Sequence, residues 1–145
     1  MWTIPAARMK MSRDHDVPLS DQAVALLSRI ERTDGPFVFV RGRGAREKEA
    51  GKPMRNASLW QMLQRVTGSD EATTHGFRSS FRDWCGDTGV DRELAERCLA
   101  HKVGSDAENA YARSSLIERR RPIMEAWGAF VDGRDNVVPF ERRVA

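Results

Sequence analysis

Tyrosine occurs once in this 145-residue chain and cysteine twice. Two cysteines, Cys85 and Cys98, both inside helix-like stretches, leave no room for a disulfide framework, and they fit a reducing cytoplasm. The opening MWTIPAARMK has no apolar core of signal-peptide length, and no apolar run approaches a membrane span. Internal repeats and low-complexity tracts are also missing, which excludes solenoids and argues against a second domain. Excess charge is slight: +3, with a pI near 9.2. That lean permits a polyanionic partner without demanding one. Arginines nevertheless outnumber lysines heavily, and guanidinium is the group suited to bidentate phosphate contacts.

What is present reads as one mainly helical domain. Apolar residues make up 40% and charged residues 31%, ordinary for a soluble globular protein. Trp2 to Ile4 and Val17 to Leu19 are short apolar segments around a charged turn, a pattern for two short paired strands. Ser20 then caps SDQAVALLSRIER, with Ala23, Leu26, Leu27 and Ile30 on its expected buried face. Phe37 to Val40 reads as a short buried strand. RGRGAREKEAGKPMR follows it, a basic loop whose Arg43, Arg46, Lys48 and Lys52 are either merely solvated or in contact with a nucleic-acid backbone.

A second amphipathic helix is expected over 56–66, with Asn56 or Ser58 as cap and Leu59, Met62, Leu63 and Val66 inward. A third spans 76–88, striped by Phe77, Phe81, Trp84 and Cys85 and stopped at Gly89. Asp91 caps RELAERCLAH, where Leu94, Ala95, Cys98 and Leu99 turn inward, and Ser105 caps DAENAYARS. The last helix covers about 115–131 and must kink or restart at Pro122, and residues 132–145 form a tail with an apolar patch from Val137 to Phe140.

Chemistry gathers between His75 and Tyr111. His75 and Arg78 stand three apart, so on a helix they can address one target. Guanidinium suits phosphate, and imidazole can donate to the same oxygens or move a proton. His101 and the lone Tyr111 complete the set, and a tyrosine brought to a phosphate can hold it covalently. Bland alternatives exist for each: HxxR is common, His101 can serve a helix C-terminus, and Tyr111 can be a packing residue. A zinc site from His75, Cys85, Cys98 and His101 lacks the usual ligand spacing.

The stretches THGFRSSFRDWCGDTGVDRELAERCLAHKVG and AYARSSLIERRRPIMEAWGAF, with the N-terminal WTIPAARMKMSRDHDVPLS, resemble the catalytic domain of tyrosine recombinases of the prophage and genomic-island integrase type. The resemblance covers about residues 2–131. It implies double-stranded DNA as partner, site-specific strand exchange as activity, and no metal or other cofactor. Tyr111 would be the nucleophile forming a 3′-phosphotyrosine. Arg78, His75 and His101 would bind the scissile phosphate, His75 with a part in proton transfer, and Lys10 would protonate the leaving 5′-oxygen. Lys102 and Arg113 flank these positions and could touch backbone phosphates, whereas His15 is expected to be a surface or DNA-flanking residue.

The family's first catalytic arginine lies well upstream of the lysine, yet only nine residues precede Lys10, and Arg8 is too close to it to substitute. The expectation is therefore a partial catalytic core of the DNA breaking-rejoining fold: mixed α+β, mainly helical, with a small N-terminal hairpin. It would occupy 1–131, without the N-terminal DNA-clamping domain. In such proteins the segment after the tyrosine packs on a neighbour, which makes 114–145, with Trp127, the candidate self-association region. The rival readings are an inactive DNA-binding or scaffold remnant, a topoisomerase with the same chemistry, and a hydrolytic nuclease, the last disfavoured by the lack of a carboxylate cluster.

Overall fold

The computed structural model of the chain describes residues 1–32, 34–41, 51–101, 103–104 and 113–133. They divide into two units. The first is built from Met1–Leu26 and Ser80–Ala145, the second from Leu27–Ser79. Helices dominate both, and the first adds one small antiparallel sheet.

The first unit opens with β1 (Trp2–Ile4) and β2 (His15–Val17), paired as Trp2 to Val17, Thr3 to Asp16 and Ile4 to His15. β2 lies two residues earlier than the apolar pattern suggests. Pro18 has no N–H for a ladder bond, so the strand must end before it, and the ring is instead fully buried. Between the strands, Ala6–Arg8 form a 3₁₀ turn, and Asp14 Oδ1 accepts the Ala6 N–H at 2.7 Å. Ser20 then caps α1 (Asp21–Ser28), its Oγ accepting from the Ala23 N–H at 3.2 Å.

The core of this unit is made by three helices. α3 (Gly76–Asp87) begins in the second unit and enters the first at Ser80. It contributes Phe81, Trp84 and Cys85, all buried. α4 (Arg92–Cys98) contributes Leu94, Ala95 and then Leu99, and α5 (Arg113–Val131) contributes Leu116 and Ile123. α3 ends as its glycine predicts: Gly89 has φ +75°, and the Val90 N–H reaches back to the Cys85 carbonyl at 2.9 Å. α4 starts as predicted, with Asp91 Oδ1 accepting from the Leu94 N–H at 3.1 Å.

Trp127 is the packing partner that joins α5 to α3. Its ring meets Phe81 edge-on at 5.3 Å, lies 5.4 Å from Trp84 and stacks on Phe130 at 5.5 Å. Trp127 is thus partly buried against its own chain, and Phe130 and Val131 are exposed apolar residues beyond it. α5 also runs through Pro122 as one assigned helix rather than restarting there. The carbonyl deprived of a donor is that of exposed Glu118, which water can reach.

Several expected apolar faces are not buried. Leu26 and Leu27 of α1 are exposed, as are Phe37, Val38 and Phe39. The latter segment makes a lone bridge, Val40 to Pro53, supported by Arg41 N–H to Lys52 O and Met54 N–H to Phe39 O, each 3.0 Å. In α2 (Asn56–Thr67), Leu59, Met62 and Val66 face outward, and Phe77 at the start of α3 does too. α2 is preceded by Arg55 without a side-chain cap and closed by left-handed Gly68. Periodicity reports an amphipathic helix, not the presence of something to cover it. A unit as short as Leu27–Ser79 can bury a smaller fraction of its surface than a larger domain does. The basic loop at 42–50, the helix expected after Ser105 and the tail patch at 137–140 lie outside the described residues.

Two consequences can be measured. A Cβ at Gly128 of α5 would sit 2.7 Å from Ser20 Cβ and Gln22 Oε1, and closer still to the capping Ser20 Oγ. Alanine is the better helix former by about 1 kcal/mol, but overpacking costs about 1–3 kcal/mol. Gly128→Ala should therefore destabilise the fold in urea unfolding. Burial, and secondarily the neighbouring Cys98, pushes the Cys85 thiol up to about 12. Cys85 should resist thiol reagents near neutral pH in the native protein and react on unfolding.

Candidate active site

His101 owes its position to the end of α4. Ala100 adopts φ +58°, the left-handed conformation usually left to glycine, and this reverses the chain. The His101 N–H then donates to the Glu96 carbonyl at 2.9 Å. Residues five apart on a continuous helix do not share a face, yet the reversal folds the His101 ring onto Glu96, whose Oε2 is hydrogen-bonded to Nδ1. Glu96 Oε1 is held from the other side by Arg82 Nη2 of α3 at 3.0 Å. Carboxylate, imidazole and guanidinium form one chain, with the carboxylate mostly shielded and the other two half-exposed.

His101 lines a cleft of about 600 Å³ within the first unit. One wall is the connection of the hairpin, from Met9 through Asp16, and the others come from Arg97 and Ala100 and from Leu116, Ile117 and Arg120 of α5. Lys10 lies in that connection, exposed, between the wall residues Met9 and Met11. Ser12 beside it takes φ +48°, part of the tight turn that presents this segment. Arg120 is the residue that sequence reasoning missed. It is buried, and its Nη2 donates to the Asp16 carbonyl at 2.7 Å, tying α5 to β2 across 104 positions of sequence. Its signal was present: Arg120 stands in register with Leu116, Ile123 and Trp127 on the buried stripe of α5, where a hydrophobe is the default. Burial pushes the Cys98 thiol up, and Arg120 partly offsets the effect.

The HxxR pair belongs to the second unit. Thr73 prepares the start of α3, its Oγ1 accepting from the Gly76 N–H at 3.0 Å. His75 precedes the helix, exposed, and Arg78 sits half-buried in its first turn, its N–H donating to the His75 carbonyl at 3.0 Å. The five expected catalytic residues thus fall in three places. His75 and Arg78 share one helical turn, and Lys10 and His101 belong to the first unit. Tyr111 lies outside the described residues, as do Arg43, Arg46, Lys48 and Lys102. Lys52 is exposed next to the Val40–Pro53 bridge, and Arg113 begins α5.

The chain belongs to the phage integrase family, whose model matches residues 1–116. It is 35% identical to the prophage integrase IntA of Escherichia coli K12 over 93% of this chain and 32% of that protein. It is 30% identical to the integrase of enterobacteria phage P4, over 94% of this chain and 34% of the relative. With the integrase of Shigella phage Sf6 the figures are 28%, 90% and 33%. The chain spans about a third of the length of these curated relatives. No solved structure matches it. Among the described residues no helix is long and apolar enough to cross a membrane.

The Glu96 carboxyl is held below the ordinary value of 4.5, chiefly by its hydrogen bond with His101, against burial and with help from Arg82. A depressed carboxyl contributes stability above its unfolded pKa and loses it as pH falls through the folded one. The stability advantage of the wild type over Glu96→Gln should therefore be full at pH 6 and shrink as pH falls below 4.5, read as converging Tm values.

Proposed function

We propose that this chain is the C-terminal part of a tyrosine-recombinase catalytic domain of the DNA breaking-rejoining type, occupying 1–131 and followed by a tail at 132–145. Its double-stranded DNA substrate would be cut and rejoined at a specific site. The observation that carries the reading is the family match over 1–116, which spans Lys10, His75, Arg78, His101 and Tyr111 in order. The cleft bounded by the Lys10 turn and His101 supports it.

In this reading the Tyr111 oxygen attacks the scissile phosphorus and passes its proton to His75 as the new P–O bond forms. The bond to the 5′-oxygen breaks, and Lys10 supplies the proton that makes a 5′-hydroxyl. Arg78, His75 and His101 donate to the non-bridging oxygens, where charge accumulates in the transition state. The tyrosyl ester conserves the phosphate bond, so a 5′-hydroxyl can attack it and reverse the step without ATP. Arg43, Arg46, Lys48, Lys52, Lys102 and Arg113 would contact backbone phosphates and make binding salt-dependent. Self-association through 114–145 would use Trp127 and the Val137–Phe140 segment, with Phe130 and Val131, exposed at the end of α5, adding apolar surface.

A second reading is an inactive DNA-binding or scaffold remnant. A nicked suicide DNA substrate separates the two. The wild type should give a covalent protein–DNA band on a denaturing gel and Tyr111→Phe none, with Arg78→Ala slower by about 10²–10³-fold, by analogy with loss of one transition-state donor. Binding of DNA without any covalent band would support the remnant.

A further inference from the structure

We propose that Glu96 is a positioning residue of the site: with Arg82 behind it, its carboxylate holds the Nδ1 edge of His101 so that Nε2, the opposite edge, serves as the donor to phosphate. This rests on the reading of the chain as a strand-cleaving enzyme and assigns a role to a residue which that reading does not use. Three observations carry it. Backbone and side chain of Glu96 both engage His101, the first through the 2.9 Å bond from the His101 N–H and the second through Nδ1. The left-handed turn at Ala100, a conformation that a residue with a Cβ rarely adopts, brings the two together. Arg82 completes the chain from another helix, 3.0 Å from the second carboxylate oxygen.

The chemistry follows from the proton count of imidazole. A neutral ring has a single N–H, and if Nδ1 gives it to Glu96, Nε2 can only accept. Donating to phosphate from Nε2 while Nδ1 donates to Glu96 requires both nitrogens to carry protons. Other charges face the same cleft. The hairpin brings Arg13, Asp14, His15 and Asp16, α4 brings Arg97, and α5 brings Arg120. Asp14 and Asp16 already accept from the Ala6 N–H and the Thr3 hydroxyl, and Arg97 is paired with Glu93 at 2.8 Å. Glu96 is in hydrogen-bond contact with the ring itself.

Glu96→Gln keeps an acceptor beside Nδ1 and removes the charge. On the suicide substrate it should form covalent complex about tenfold more slowly than the wild type, and the deficit should vanish when the same change is made in His101→Gln, because a positioning residue acts only through the ring it holds. No deficit, or an equal one in both backgrounds, would indicate a merely structural role and overturn the proposal. An independent measurement needs no catalysis: the Glu96 carboxyl, followed by carbon NMR, should titrate higher in His101→Gln than in the wild type. An unchanged titration also overturns the proposal. A wild type that forms no covalent complex at any pH overturns the cleavage reading and with it the catalytic use of the pair, while the NMR titration still decides whether the pair itself exists.

Discussion

The packing of Trp127 against Phe81 and Trp84 is the contact on which the first unit depends. Two helices far apart in sequence meet there through three large rings, 5.3–6.1 Å apart at their centroids. Such rings bury more apolar area than any aliphatic side chain, and tilted pairs add about 0.5–1.5 kcal/mol beyond that area. The Trp84 indole N–H finds no partner among the described residues, so its apolar gain must exceed the cost of an unmade hydrogen bond. With α5 anchored to α3, the rest of α5 has a defined path. Gly128 lets it approach the capped start of α1, and Arg120 reaches the carbonyl of Asp16 in β2.

The hairpin is too small to be stable alone, since two strands of three residues make few bonds. Its position comes from outside: buried Pro18 and the Arg120 guanidinium hold β2, and β2 in turn holds the connection that carries Lys10. The cleft is accordingly a product of α5 as much as of the hairpin and α4. A buried arginine there is costly to desolvate, and its Nε has no partner among the described residues. It is tolerated because the bond it makes fixes a polar strand end that hydrophobic contact alone could not orient.

Local rules were legible where the partners are neighbours in sequence. Asp91 and Ser20 cap the helices expected of them, Gly89 ends α3, and the burial of Phe81, Trp84, Cys85, Leu94, Ala95 and Leu99 follows their spacing. The stripe fails at Phe77 and at the exposed faces of α1 and α2, because spacing describes a face and says nothing about its cover. Residues 37–40 failed for a related reason. Four apolar residues in a row suit a buried strand only if a sheet receives them, and here there is a single bridge.

What this sequence determined by itself is the family, matched along residues 1–116, and the residue types Lys10, His75, Arg78, His101 and Tyr111 that made phosphate chemistry the expectation. It also determined several helix ends among the described residues, which are written in capping residues a few positions away. Tertiary structure alone decided that Arg120 would hold the hairpin, that Trp127 would face inward, and that Glu96 would sit between His101 and Arg82. Those contacts join residues on different helices, or on two sides of a chain reversal at an alanine. No linear period places them together until the aromatic core has closed.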